Sequence, residues 1–375
     1  MTGNAREGAV HSLPWGFLGM IALLVSAEWY LTHHEIDFTT PPAFDWKQTG
    51  KQAGRKTIGY EVLCFGDSLV KFGVVPPVVE RRVGKSAFNL ALNSGHAPAS
   101  YFLLRRAIRA GARPGAIVVD GENLLDNPLS FTRLWPELLS LREAGELAWF
   151  ARDATFFATV VVSQLVPSVR VRYEVRANLR AALRGEIGSS KYTLRIFLRN
   201  WNVNKGSQIP PKNPKLDIVP IARVYQPFGW KCNPVNAEFS RRFLDLAEAH
   251  RIAVYWLVPP VCPEIQARRD EGGADADYMR FLVGMQKRYS NVVVIDGRHA
   301  GYDHTLHTDA THLDRQGSAV MSTDVAEIVA RGLSRPNGVR WVTLPPYRDL
   351  PDVIAIEDLN QSILASRLAR REVKR

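Results

Sequence analysis

The chain has 375 residues, room for one large or two ordinary domains. With 46% hydrophobic and 23% charged residues it has the composition of a folded globular protein, which excludes general disorder, a collagen-like repeat and a polytopic membrane protein. Its 48 Lys and Arg against 37 Asp and Glu leave a net charge of +11, a balance that suits nucleic acid, an anionic membrane surface or an acidic polymer until the charge is located.

Residues 15–27 carry no charge, and Trp29, Tyr30 and Leu31 extend the apolar run past a single Glu28. A spanning helix needs about 20 mainly apolar residues, and Trp15, Trp29 and Tyr30 sit near the ends, where amphipathic rings prefer the membrane interface. Val25-Ser26-Ala27 also resembles a small-residue cleavage site. Three readings of residues 13–32 stay open: an uncleaved transmembrane anchor, a signal peptide, and a buried helix. The first two place the body outside the cytoplasm, either tethered or released. Residues 1–12 form a short tail. Residues 33–57, with Pro41-Pro42 and a cluster of Lys and Gly, read as a polar linker.

From residue 61 short apolar strands alternate with segments of helical period. Strands are predicted at 62–65, 87–92, 116–120, 252–258 and 291–296. Helices are predicted at 101–110, 236–250, 275–289 and 317–333. This alternation makes βαβ units and a mainly parallel sheet, an α/β fold with helices on both faces. Ligands of such sheets bind beyond the carboxyl ends of the strands, so chemistry is sought after Phe65, Leu92, Asp120 and Asp296. The alternation fails over about 125–232, which reads as a basic helical insertion with a 13-residue apolar run at 154–166. That run contains Ser163 and Gln164 and suits a packed helix better than a second membrane span. Residues 58–335 form the main domain, and 336–375 a basic extension ending in a helix over 358–372.

The first strand ends in Gly66-Asp67-Ser68-Leu69. Gly66 permits a sharp turn, and Ser68 stands at the mouth of the ligand crevice with its hydroxyl and backbone N–H available. A serine nucleophile needs a base, and the base an orienting carboxylate. Two Asp-x-x-His segments offer both: Asp296 with His299, and Asp309 with His312. His312 is favoured because Leu313 and Asp314 follow it, with Asp314 placed to N-cap the next helix and fix the loop.

Gly66-Asp67-Ser68-Leu69 near the start of the body and Asp309-x-x-His312-Leu313 near its end resemble the SGNH (GDSL) hydrolase family. Asn93-Ser94-Gly95 is similar to that family's glycine block. Gly121-Glu122-Asn123-Leu124 matches its Gly-x-Asn-Asp block in part, with Leu124 where the family has Asp. The resemblance covers about 61–123 and 251–333. It implies a three-layer αβα flavodoxin-like fold with a mainly parallel five-stranded sheet. It further implies a nucleophile Ser68, a base His312 and an orienting Asp309. The oxyanion hole would be the Ser68 N–H, the Gly95 N–H and the Asn123 side chain.

A triad on this fold predicts ester cleavage through an acyl-serine, the acyl group passing to water or to a sugar hydroxyl. With an N-terminal membrane segment and a basic insertion, the chain is similar to membrane-tethered SGNH proteins that add or remove O-acetyl groups on envelope polysaccharides. The implied partners are an O-acylated carbohydrate and the membrane. The alternative is a non-catalytic envelope protein whose arginine-rich surfaces bind an anionic polymer or membrane. No cofactor, metal or nucleic acid is expected: Cys64, Cys232, Cys262 and the histidines lack metal spacing, and no phosphate-binding glycine loop follows a strand. The charge itself is local. Residues 168–200 hold eight basic and two acidic side chains, +6 of the +11, and the last 41 residues add +3, so it belongs to the insertion and tail.

Overall fold

Six short apolar segments form one all-parallel sheet in the computed structural model, which describes residues 15–34, 38–55, 59–184, 190–224, 229–335, 338–350 and 356–372. The N-terminal tail 1–12 and the basic end at Lys374 and Arg375 lie outside the described residues.

The chain enters through helix α1 (Trp15–His33) and helix α2 (Pro41–Ala53), then strand β1 (Val62–Phe65), α3 (Ser68–Gly73), α4 (Pro76–Val83), β2 (Ala87–Asn89), α5 (Ala97–Arg109) and β3 (Ala116–Val119). The insertion runs through α6 (Trp135–Leu138), α7 (Leu141–Ala151), α8 (Ala154–Leu165), α9 (Pro167–Arg170), α10 (Arg172–Leu183), α11 (Ser190–Val203) and α12 (Ile218–Val224). The alternation resumes with α13 (Pro234–Ala249), β4 (Ala253–Val258), α14 (Pro263–Glu271), α15 (Ala274–Arg288), β5 (Val292–Asp296), α16 (Arg315–Ser334), β6 (Trp341–Thr343) and α17 (Leu359–Glu372).

The order β2-β1-β3-β4-β5-β6 reverses direction at β1 and β3, opening a crevice between their carboxyl ends. Register pairs Phe65 with Val119 there. Strand side chains alternate cleanly between two cores. Leu63, Phe65, Ile117, Val119 and Trp256 pack under α2, α5, α13 and α15, while Val62, Cys64, Val118, Tyr255 and Leu257 pack under α3, α4 and α16. Strands β1–β5 are buried on both faces or nearly so, as parallel strands in such layers must be, while the edge strand β6 is only partly covered.

Two expectations are corrected. The sheet has six strands, not five. The extra one, Trp341–Thr343, lies in the segment read as a C-terminal extension and pairs parallel with β5; three residues at an edge leave too little pattern to be read. The linker is largely a packed helix. Pro41 and Pro42 occupy the first turn of α2, where a missing N–H costs nothing, and Thr40 caps it. Trp46 and Ala53 are fully buried, and the Trp46 indole donates to the Asn93 carbonyl at 2.9 Å. Asp45 forms an ion pair with Lys71 at 2.6 Å, both side chains out of contact with solvent, so α2 is locked onto α3.

Helix α1 is long and apolar enough to cross a membrane or to serve as a signal sequence, and of its described residues only Leu31 is buried. The run at 154–166 is α8, packed through Phe156, Val160 and Ser163.

Candidate active site

The turn after β1 admits only glycine at its first position. Gly66 has φ +118°, and a β-carbon there would overlap the Asp120 carboxylate. The Asp67 N–H donates to Asp120 Oδ1 at 2.8 Å. The Asp67 side chain caps α3 by accepting the Leu69 N–H at 2.8 Å. Ser68 is thereby fixed as the first residue of α3, half-buried, with a backbone N–H that has no acceptor within its own helix.

His312 comes from the loop between β5 and α16. That loop is tied down on both sides. The Thr308 N–H donates to the His312 carbonyl at 2.8 Å, the Cys262 N–H donates to the Ala310 carbonyl at 3.1 Å, and Asp314 caps α16 through Gln316 and Gly317 N–H. Phe72 meets the imidazole edge-on at 5.0 Å between ring centroids.

Across 244 positions of sequence, Ser68 Oγ lies 2.7 Å from His312 Nε2. On the far side of the ring Nδ1 lies 2.7 Å from Asp309 Oδ2. The other Asp309 oxygen accepts the Thr311 and His312 N–H groups, each at 2.9 Å. A carboxylate only accepts, so Nδ1 carries the proton and Nε2 is left to accept from the serine hydroxyl. Burial pushes the Asp309 carboxyl upward, but the bond and charge of His312 together with the two N–H groups outweigh it, holding the carboxyl down to about 2. It therefore stays an anion well below neutral pH.

The other histidine takes no part. His299 is exposed, 3.8 Å from Asp270, while Asp296 is engaged by the Arg298 guanidinium at 2.7 and 2.9 Å.

Asn123 and Gly95 do come to this crevice. Asn123 lies on the 3-10 turn Glu122–Leu125 after β3, with its Nδ2 3.5 Å from the Gly95 carbonyl. The Gly95 N–H, however, donates to the Leu92 carbonyl at 2.9 Å, closing a turn in which Ser94 takes a left-handed φ of 56°. In this conformation the Gly95 N–H is committed within its own turn, and the Asn123 amide points at the Gly95 carbonyl. Gly95 has a different necessity: a β-carbon would overlap the Gly66 carbonyl. Leu124, at the position of departure, is buried, and its carbonyl accepts from Asn233 and Asn236.

Asp120 is the residue that pattern reading passes over. It sits nearly inaccessible under the Gly66–Ser68 turn, and burial first, then the neighbouring Asp67 charge, raises its carboxyl well above the usual range. Its signal is an acid ending an otherwise apolar strand. Beneath Asn123 and Gly95 a cavity of about 20 Å³, the space of roughly one water, is lined by Asp67, His96, Asp120 and Ser240. Among the described residues no group of three or more His, Cys, Asp or Glu could hold a metal ion.

No protein-family model matches this chain, and no curated protein matches it in sequence.

Proposed function

We propose that this protein is a serine-dependent acyl-transfer enzyme that cleaves O-acyl esters through an acyl-serine intermediate. The single observation that carries this is the unbroken chain Ser68–His312–Asp309, with 2.7 Å at each link. In the proposed reaction His312 Nε2 takes the Ser68 proton as Oγ adds to the ester carbonyl. The oxyanion forms against the Ser68 N–H and Asn123 Nδ2. The alkoxide leaves with the proton held on His312, and a water or sugar hydroxyl, deprotonated in turn by His312, releases the acyl group. The strand order and the positions of the four sequence blocks support membership in the SGNH hydrolases.

We further infer that α1 is an uncleaved anchor with the body outside the cytoplasm, where an exported O-acylated carbohydrate is the fitting substrate. The support is Glu28, the one charge in the apolar helix. Its carboxylate accepts the Ser168 N–H at 3.0 Å and the Ser168 hydroxyl, so the helix is joined to the body through the group that lipid would tolerate least.

Full-length protein in detergent is expected to react with a fluorophosphonate probe at Ser68 and to hydrolyse a chromogenic acetate ester. Ser68→Ala should lose both activities, by about four orders of magnitude or more for turnover. Equal labelling of wild type and Ser68→Ala would overturn the assignment. A folded wild type that never labels would instead favour a non-catalytic envelope-binding protein.

A further inference from the structure

The insertion carries an apolar surface that the triad does not use. On α8 the side chains at 156, 160 and 163 face the core, and the opposite face presents Phe157, Ala158, Val162 and Leu165, with no charged residue between Asp153 and Arg170. Leu165 is 70% exposed, and Trp149, at the end of the neighbouring α7, is 87% exposed. Gly145, one turn before Trp149, lies against the Phe157 ring, so the two helices contribute to one patch. The next long helix, α10, adds Leu179 and Leu183 at 59% and 80% exposure. Beside them Arg172, Arg176, Arg180 and Arg184 recur at every fourth position, which places them along one adjoining stripe. An apolar stripe bordered by arginine is the pattern of a helix lying in a membrane interface.

What covers this patch follows from its position. Between α8 and α10 stands α9, whose Ser168 is the residue bonded to Glu28 of α1. Glu28 is five residues from the end of α1, in the same turn as Trp29 and Tyr30, both exposed. The patch is therefore continuous with the end of the helix that would leave the bilayer. We propose that α8 and α10, with Trp149, dock into the interfacial layer of the membrane that holds α1, and that the α10 arginines select anionic phospholipid. The proposal rests on α1 remaining attached. Its occupant is a lipid surface because the patch combines exposed apolar side chains with positive charge, whereas a soluble polyanion would engage the charge alone.

The test uses full-length protein in vesicles made with bromine-labelled acyl chains, either phosphatidylcholine alone or mixed with phosphatidylglycerol. The emission difference between wild type and Trp149→Phe reports Trp149, and that between wild type and Trp15→Phe reports α1. Trp149 is expected to be quenched, more strongly with phosphatidylglycerol. The triple variant Arg172→Gln/Arg176→Gln/Arg180→Gln should weaken its docking equilibrium about five-fold per arginine while Trp15 stays quenched. Trp149 unquenched while Trp15 is quenched overturns the docking surface and leaves the anchor standing. Trp15 unquenched overturns the anchor and, with it, the docking proposal that rests on it. Trp149 quenched equally with and without anionic lipid, or arginine-dependent binding of a soluble polyuronate with Trp149 dry, overturns the choice of anionic lipid.

Discussion

The carboxyl edge of the sheet and the 125–232 insertion are built on opposite terms. At the sheet edge the groups that set the shape of the site are held by specific partners. Gly66 is pinned by Asp120, Asp67 spends one oxygen on capping α3, and both Asp309 oxygens are engaged around His312. In the insertion α8 buries one face and leaves Phe157, Val162 and Leu165 at the surface, and most of α10 is exposed. A reactive centre must be held within fractions of an ångström, which demands saturated contacts. A docking face must keep its contacts unspent until the partner arrives. The two regions should thus respond to substitution in opposite ways.

The largest expected break is at the ion pair that joins α3 to α2. Lys71 lies three residues after Ser68 and meets Asp45 of α2 in the core, and burial lowers its ammonium while Asp45 counteracts that. Lys71→Met strands a buried carboxylate and should cost about 3–5 kcal/mol, read as a lowered denaturant midpoint. Replacing both partners, Asp45→Leu with Lys71→Met, should recover most of that loss. If the double variant is no more stable than the single, the ion pair is not what joins α2 to the body.

Next comes Asn123. In the proposed reaction, with the Gly95 N–H held by Leu92, the Asn123 amide would carry a larger share of oxyanion stabilisation. Asn123→Ala should lower kcat by about two to three orders of magnitude with the fold intact by circular dichroism. An unchanged kcat would mean that Gly95 releases Leu92 during the reaction and supplies the second donor itself.

A smaller effect separates two carboxylates of the same edge by pH. The Asp309 carboxyl is depressed from 3.8 to about 2 in the folded protein. Its contribution is thus fully present above pH 3.8 and lost as the pH falls toward 2. Asp120 has the opposite sign. Its carboxyl is raised, so the folded state holds the proton more tightly, and that contribution is present below the ordinary carboxylate range and lost as the pH rises through the raised value. Thermal midpoints measured against pH should show Asp309→Asn flattening the acid limb only. Asp120→Asn keeps an oxygen for the Asp67 N–H and should flatten the loss on the rising side only. The same slope in wild type and Asp120→Asn would show that Asp120 is ionised in the folded protein.

Much of this edge was legible because it is local. A four-residue apolar run stopped by Gly66-Asp67-Ser68, and Asp309-x-x-His312 leading into Asp314, are strand-turn-helix signals written in neighbouring residues. That their ends meet followed from the βαβ alternation, which sends successive strands the same way. What was not legible depends on contacts rather than period. Pro41-Pro42 signals a break and a first helical turn equally well, and the burial of Trp46 decides between them. A charged pair such as Asp45 and Lys71 leaves no mark of being inside. The commitment of the Gly95 N–H turns on one left-handed residue, Ser94, that no pattern demands. The insertion yielded its composition and helicity, but which face of α8 is covered depends on where α6 and α7 pack.

The smallest expected effect is the sharpest contrast. Val162 and Leu165 look as apolar in sequence as Phe156 and Val160 of the same helix, yet the first pair is exposed and the second fully covered. Val162→Ser with Leu165→Ser removes little buried surface, so the unfolding free energy in detergent-free buffer or mild detergent should stay within about 0.5 kcal/mol of wild type. Ester turnover by Ser68 on a small soluble substrate should likewise be unchanged, because neither residue touches the α3 or α16 elements that hold the triad. The change should show instead as weaker quenching of Trp149 by brominated lipid. A loss of stability comparable to that at a core position would mean that this face of α8 is closed over by the protein itself, and the difference between the two regions would then be one of degree.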